Sequence, residues 1–418
     1  MTSSEFIKVR LGDIADIQTG PFGSQLHKRD YKEKGTPIIT VEHLGQNRII
    51  HKNLPFVSDE DKERLKKFII KEGDIVFSRV GSVDRRAFVC KKEDGWLFSG
   101  RCLRVRVFDN NINPLYLSYY FGLENFKEYI RRIAVGATMP SLNTKIMSDI
   151  EVKFPAKDVQ DYIAVILSSL DDKIEFNNRI NQTLEEIAQA IFKHWFVDFE
   201  FPDENGQPYK SSGGEMDDSE FGPIPRGWSI INLEEICTIN MGQSPPSSSY
   251  NETGYGLPFY QGVRNFGFRH PGVSVCCSEP KKVAEKNDVL LSVRAPVGEI
   301  NLAVTKCCIG RGVAALCMKE SGNNFLYYTL IDNKKRLLTM ESGSVFTAIN
   351  KSNISNFPII YPGKKQVDSF NSVVGVLDER ILINTIESKA LAETRDTLLP
   401  KLMSGEIRVP VEEVLEVV

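Results

Sequence analysis

Arginines stand beside glycine, serine and threonine in loops at matched points of two segments of this chain. In the first segment these are Thr19, Gly20 and Ser24, then Arg79-Val80-Gly81 with Arg85 and Arg86, then Arg101. In the second they are Ser244 and Ser247 within Gly242 to Ser249, then Arg264, Arg269, Arg294 with Gly298, and Arg311. A guanidinium offers a planar fork of donors that matches a phosphate or the two acceptors on one edge of guanine. Hydroxyls and backbone N–H groups suit phosphate. Taken singly, each is an ordinary solvated loop residue. The stronger signal is the parallel placement of Arg79-x-Gly81 and Arg294-x-x-x-Gly298 after matched apolar runs.

Catalytic patterns were weighed against this and fail. A methyltransferase needs a glycine-rich cofactor loop and an Asn/Asp-Pro-Pro-aromatic motif. Asn113-Pro114-Leu115-Tyr116 lacks the second proline and reads as a helix start. A metal-dependent nuclease would use a pair such as Glu151-x-Lys153, but the matching positions of the second segment are Pro358 and Ile360. No phosphate-binding P-loop, H-E-x-x-H or G-x-S-x-G occurs. The expectation is therefore a binding protein with no catalytic residue, no metal site and no cofactor of its own. The eight cysteines include the vicinal pairs Cys276-Cys277 and Cys307-Cys308 but no C-x-x-C, which fits buried reduced thiols.

Charge is distributed unevenly. The net value is −3, yet residues 1–157 carry 27 basic against 20 acidic side chains, and residues 229–363 carry 13 against 10. Residues 158–228 carry 5 against 15. Local cations, not the average, make a phosphate-binding surface. No run of 18 apolar residues and no signal-like leader is present, so a cytoplasmic protein without membrane contact is expected.

The elements that must position these loops come in two copies. Leu11-Gly12-Asp13-Ile14 to Gly20 is answered by Leu233-Glu234-Glu235-Ile236 to Gly242, and Gly136 to Asn143 by Gly343 to Asn350. Short β-branched runs such as Asp74 to Ser78 and Asp288 to Ser292 predict strands. Gly73 and Asn287 before them suit a turn that needs a left-handed residue. After Pro155 and Pro362 the period changes to three and four, which predicts long helices at 158–199 and 364–406. A shift of 207 residues aligns Leu170 with Leu377, Asn177 with Asn384 and Leu184 with Leu391. These six read as a coiled-coil seam in which an asparagine pair sets register. The fold expected is α+β: two β-rich domains (1–157 and 229–363) related by duplication and separated by the helices as an antiparallel coiled coil. Residues 200–228 are a linker too polar to bury a core, and 407–418 a tail.

At this point the chain resembles the specificity subunit of a type I restriction–modification system. The resemblance rests on the duplicated openings, Gly73 to Arg79, Ala190 to Phe199 (AIFKHWFVDF), Gly222 to Trp228 (GPIPRGW) and Leu398 to Ile407 (LLPKLMSGEI). It implies two target-recognition domains, each reading one half of a bipartite, asymmetric double-stranded DNA target. It implies that the helices set the unread gap and dock modification subunits. Adenosylmethionine, ATP and magnesium would then belong to those methyltransferase subunits and to separate motor-nuclease restriction subunits. The alternatives are the specificity region of a single-chain restriction enzyme, a methyltransferase or nuclease with unrecognised motifs, and a coiled-coil scaffold.

Overall fold

A computed structural model describes residues 6–23, 25–339 and 348–409. It divides into two compact units. One is Met1–Glu175 with Ser388–Val418, the other Phe176–Glu387.

In the first unit, Ile7–Arg10 pairs antiparallel with Glu151–Phe154, bringing the ends of the β-rich region together. A single helical turn, Leu11–Ile14, leads into a four-stranded antiparallel sheet. Its order is Ala15–Thr19, Cys102–Val107, Ile75–Ser78 and Arg86–Phe88. A smaller sheet places Thr36–Ile39 between Phe56–Val57, antiparallel, and Leu97–Phe98, parallel.

The second unit repeats this plan. Ser229–Asn232 pairs with Pro358–Tyr361, and the turn Leu233–Ile236 follows. The antiparallel sheet runs Cys237–Met241, Val313–Met318, Val289–Ser292, Ile300–Leu302. Leu257–Tyr260 lies between Cys276–Cys277, antiparallel, and Cys307–Ile309, parallel. The inner strands Ile75–Ser78 and Val289–Ser292 are buried along their whole length, which explains their unbroken apolar character. Gly73 and Asn287 both have positive φ (90° and 69°), as the turns before those strands demand. Asn143 and Asn350 cap the short helices Thr144–Ser148 and Lys351–Ser355 by accepting from Ile146 and Asn353 N–H groups. Of the repeat Gly343 to Asn350, positions 343–347 lie outside the described residues.

Asn113 caps the helix Pro114–Tyr120, accepting from the N–H groups of Leu115 and Tyr116, so the Asn-Pro pair serves a helix start. Glu151 pairs with Lys8 on an alternating exposed–buried strand.

The central helix covers Lys157–Phe192 and passes into a π-helical turn, Lys193–Val197. The distal helix covers Lys364–Ser404. At 1.5 Å per residue they are roughly 54 and 62 Å long. In the first unit Val159, Ile163, Ala164 and Leu167 share a core with Leu402 and Met403. In the second, Ala188 and Phe192 share one with Val367, Phe370 and Val374.

Between these apolar ends the buried face is largely polar, with Ile381 an apolar exception, where the sequence suggested a seam of leucines. Leu170, Leu184, Leu377 and Leu391 are only half-buried. Fully buried instead are Asp171, Asn177, Asn181, Glu185, Asn384 and Arg395. The helices are covered by domain side chains as well as by each other, so their buried face is wider than a two-helix seam and takes in polar residues that find partners there. Asn384 Nδ2 donates to Asn181 Oδ1 (2.9 Å), and Asn177 Nδ2 donates to Glu387 (2.8 Å). Numbers fall on one helix as they rise on the other, so within this unit the pairing is antiparallel.

The linker also departs from expectation. Phe201, Ile224 and Trp228 are buried in the core of the second unit. Phe201 stacks on Trp228 (4.9 Å) and on Tyr209 (4.6 Å). Three aromatic rings among polar residues suffice to pin this segment.

Candidate nucleic-acid interface

In the first unit the predicted residues gather at one end of the four-stranded sheet. The register pairs Thr19 with Leu103 and Ser78 with Cys102, which brings the loop after Thr19 beside Arg79 and Arg101. The N–H of Gly20 donates to Cys102 O. A Cβ on Gly20 would lie 2.1 Å from Ser99 O, so the close approach requires glycine. Arg79 Nε donates to Gly100 O (3.0 Å) and its guanidinium lies 6.0 Å from the centre of the Phe22 ring. Arg101 is exposed and makes no ion pair among the described residues, whereas Arg106 is paired with Asp74. Arg85 donates to Leu44 O. Arg86 is not available as a surface contact. It is buried, donates to Ser118 O, and burial lowers its pKa to about 10. Ser24 lies outside the described residues.

In the second unit Ser244, Ser247, Arg264 and Arg311 line a single cleft of about 660 Å³. Three backbone segments meet at its wall. Gly242 N–H donates to Val313 O, and Gly312 N–H donates to Gln261 O. A Cβ on Gly242 would lie 2.2 Å from Gly310 O. Ser244 Oγ accepts from Gln261 Nε2 (2.9 Å) and from the N–H of Arg311 (3.3 Å). Arg264 and Arg311 are exposed and free of ion pairs among the described residues. The cleft also holds Gln261, Asn265 and the rings of Tyr250 and Phe259, which the sequence reading missed. The Gln261-Gly262 pair was a legible signal; Phe259 sits in a strand and gave none.

Two placements correct the sequence reading. Arg294 is exposed but does not match Arg79. The N–H of Arg79 donates to Arg101 O as that of Val293 donates to Gly312 O, while Val80 bridges Ser141 as Arg294 bridges Ala348. Arg294 therefore occupies the place of Val80, one residue further along. Arg269 is 1% exposed and cannot meet a phosphate. Its guanidinium pairs with Glu185 of the central helix and Asp378 of the distal helix, and lies 4.2 Å from the centre of the Tyr327 ring. Burial, with Glu185 nearby, raises the carboxyl of Asp378 to about 6 despite the cation beside it. Burial and the neighbouring Arg269 hold His270 down at about 4.

Among the described residues, no group of three or more His, Cys, Asp or Glu side chains is placed to hold a metal ion. Both vicinal cysteine pairs are buried, and burial pushes the Cys307 thiol up to about 12. Among the described residues, no helix is long and apolar enough to cross a membrane.

Residues 3–186 and 225–384 match the family described as the type I restriction modification DNA specificity domain. The chain belongs to this family. The two matched stretches correspond to the two copies seen in the fold. The specificity-domain chain is 32% identical over 392 residues to the putative type I restriction enzyme MjaX specificity subunit of Methanocaldococcus jannaschii, covering 91% of this chain and 89% of that one. It is 28% identical over 463 residues to the HindI specificity subunit of Haemophilus influenzae, covering 95% and 100%. Its fold is similar to that of the type I restriction-modification S subunit from M. genitalium, with a TM-score of 0.61 at 17% identity, covering 95% and 96%.

Proposed function

We propose that this chain is the DNA-reading subunit of a type I restriction–modification complex and catalyses nothing itself. Each unit reads one half of a bipartite, asymmetric double-stranded target. The Arg79–Arg101 end of the first sheet and the Ser244–Arg311 cleft of the second supply the contacts. Free arginines read base edges, while hydroxyls and crowded glycine loops lie close enough for backbone N–H groups to meet phosphates. The two long helices set the unread gap and carry the modification subunits. Those subunits bind adenosylmethionine and methylate adenine; restriction subunits use ATP and magnesium.

The observation that carries the reading is the duplication. The same sheet end is built twice, each time with arginines that make no ion pair among the described residues beside crowded glycines. Removing seven residues from the central helix and the facing seven from the distal helix shortens each by roughly 10 Å. At 3.4 Å per base step this is about three base pairs. Profiling methylated motifs in cells that carry the shortened chain should show both half-sites kept and the gap reduced. An unchanged gap would refute the ruler.

A further inference from the structure

The two units share a second duplicated feature, on the side of the small sheet. Ile39 pairs parallel with Phe98, and Tyr260 pairs parallel with Ile309, so Ile39 and Tyr260 are equivalent. Arg48 follows Ile39 by nine residues, and Arg269 follows Tyr260 by nine. Each stands in the loop that follows its strand, and its side chain grips a long helix. Arg48 Nη2 lies 2.6 Å from Asp172, and its Nε 3.7 Å from Glu175, both on the central helix. Lys92 reinforces this from the next loop, 2.5 Å from Glu175. Arg269 pairs with Glu185, lies 2.5 Å from Asp378, and donates to Tyr328 Oη (2.7 Å).

The loops these arginines hold are the ones that carry or support the recognition groups. Residues 261–265, immediately before Arg269, supply Gln261, Arg264 and Asn265 to the cleft. In the first unit, Leu44 O, four residues before Arg48, accepts from Arg85.

We propose that Arg48 and Arg269 are duplicate-related positioning residues, each fastening its unit's recognition loop to the helices. This rests on the DNA-reading function above. The physical case is strongest for Arg269. A guanidinium shared by two helix carboxylates, under two tyrosine rings and out of water, has one geometry available. Its main chain is held as well, since Arg269 O accepts from Leu302 N–H (2.9 Å). The loop then has a fixed end, and the distance from Arg269 back to Arg264 is five residues.

The test uses the full chain and selection from a randomised double-stranded DNA library. The wild-type profile should show two short motifs at a fixed gap. R269M should lower base discrimination at least about tenfold in one motif and leave the other unchanged; R269K should restore part of it. R48M should relax the other motif. The Arg48 side chain is only 18% exposed, whereas its partner Asp172 is 66% exposed, so D172N serves if R48M does not fold, and D378N serves if R269M does not. Equal weakening of both motifs, or an unchanged profile in a folded variant, would overturn the positioning role. A wild-type chain that selects no motif would overturn the functional reading itself, and the clamp with it.

Discussion

Substituting Arg395 by methionine isolates the energetics of the buried polar face in the first unit. Arg395 Nη1 lies 2.5 Å from Asp171 Oδ1, and Nη2 donates to Gln46 (3.0 Å). Asp171 is 5% exposed and accepts from Tyr119 Oη on its other oxygen. Methionine keeps most of the arginine stem but removes the charge, leaving a carboxylate buried with one hydroxyl donor. Breaking a buried pair on one side costs about 3–5 kcal/mol. For a unit of this size each kcal/mol moves the midpoint by about 2–4 °C, so Tm should fall by about 6–20 °C. Replacing both partners, as D171L with R395M, removes the orphaned charge and should recover most of the loss. Urea and thermal unfolding of the four chains in a double-mutant cycle measure this directly. A single-variant loss below 1 kcal/mol, or a double variant no better than R395M, would refute the view that ion pairing holds this face together.

Two further measurements follow from the remaining geometry. R264A and R311A should each weaken DNA binding by about 1–3 kcal/mol and relax base preference at one position of a single half-site, as loss of a base-edge contact requires; uniform weakening across sequences, with the slope of log affinity against log salt reduced by about one, would place that arginine on a phosphate instead. His270 is held neutral in the folded chain down to about 4, while its unfolded value is near 6.5. The unfolded state therefore takes up the proton first, and stability is lost as pH falls from 6.5 towards 4. Asp378, raised to about 6, acts in the opposite sense over 4 to 6, losing stability as pH rises. The wild type minus H270Q difference in unfolding free energy should drop by up to ~3 kcal/mol between pH 7 and 4; a flat difference would mean His270 protonates freely in the native chain.

The duplication, the strands, the turns at Gly73 and Asn287 and the span of both helices were legible because each rests on local rules. Period, turn chemistry and the aligned openings are written in consecutive residues. What lay beyond the sequence is tertiary. Arg269 and Arg264 are five apart in similar polar surroundings, yet one is buried under tyrosines and the other is exposed. Nothing local separates them; Glu185 and Asp378, 84 and 109 residues away, decide the matter. The leucine stripe misled for the same reason. Counting apolar residues finds the seam of two isolated helices, whereas these helices are also packed against sheets. The aromatics of the linker were passed over because composition averaged them with their polar neighbours.

The polar middle of the helix pair makes sense in light of what such helices would have to do. A seam of leucines tolerates sliding by a turn, because one apolar contact replaces another. Asn384 on Asn181, Asp171 on Arg395, and Glu185 with Asp378 beside one guanidinium are contacts that exist in one register only. Shifting either helix by one turn, 5.4 Å, would leave buried charges without partners at a cost of several kcal/mol per ion. Stability is given up for a unique length, which is the property a spacer between two reading sites requires.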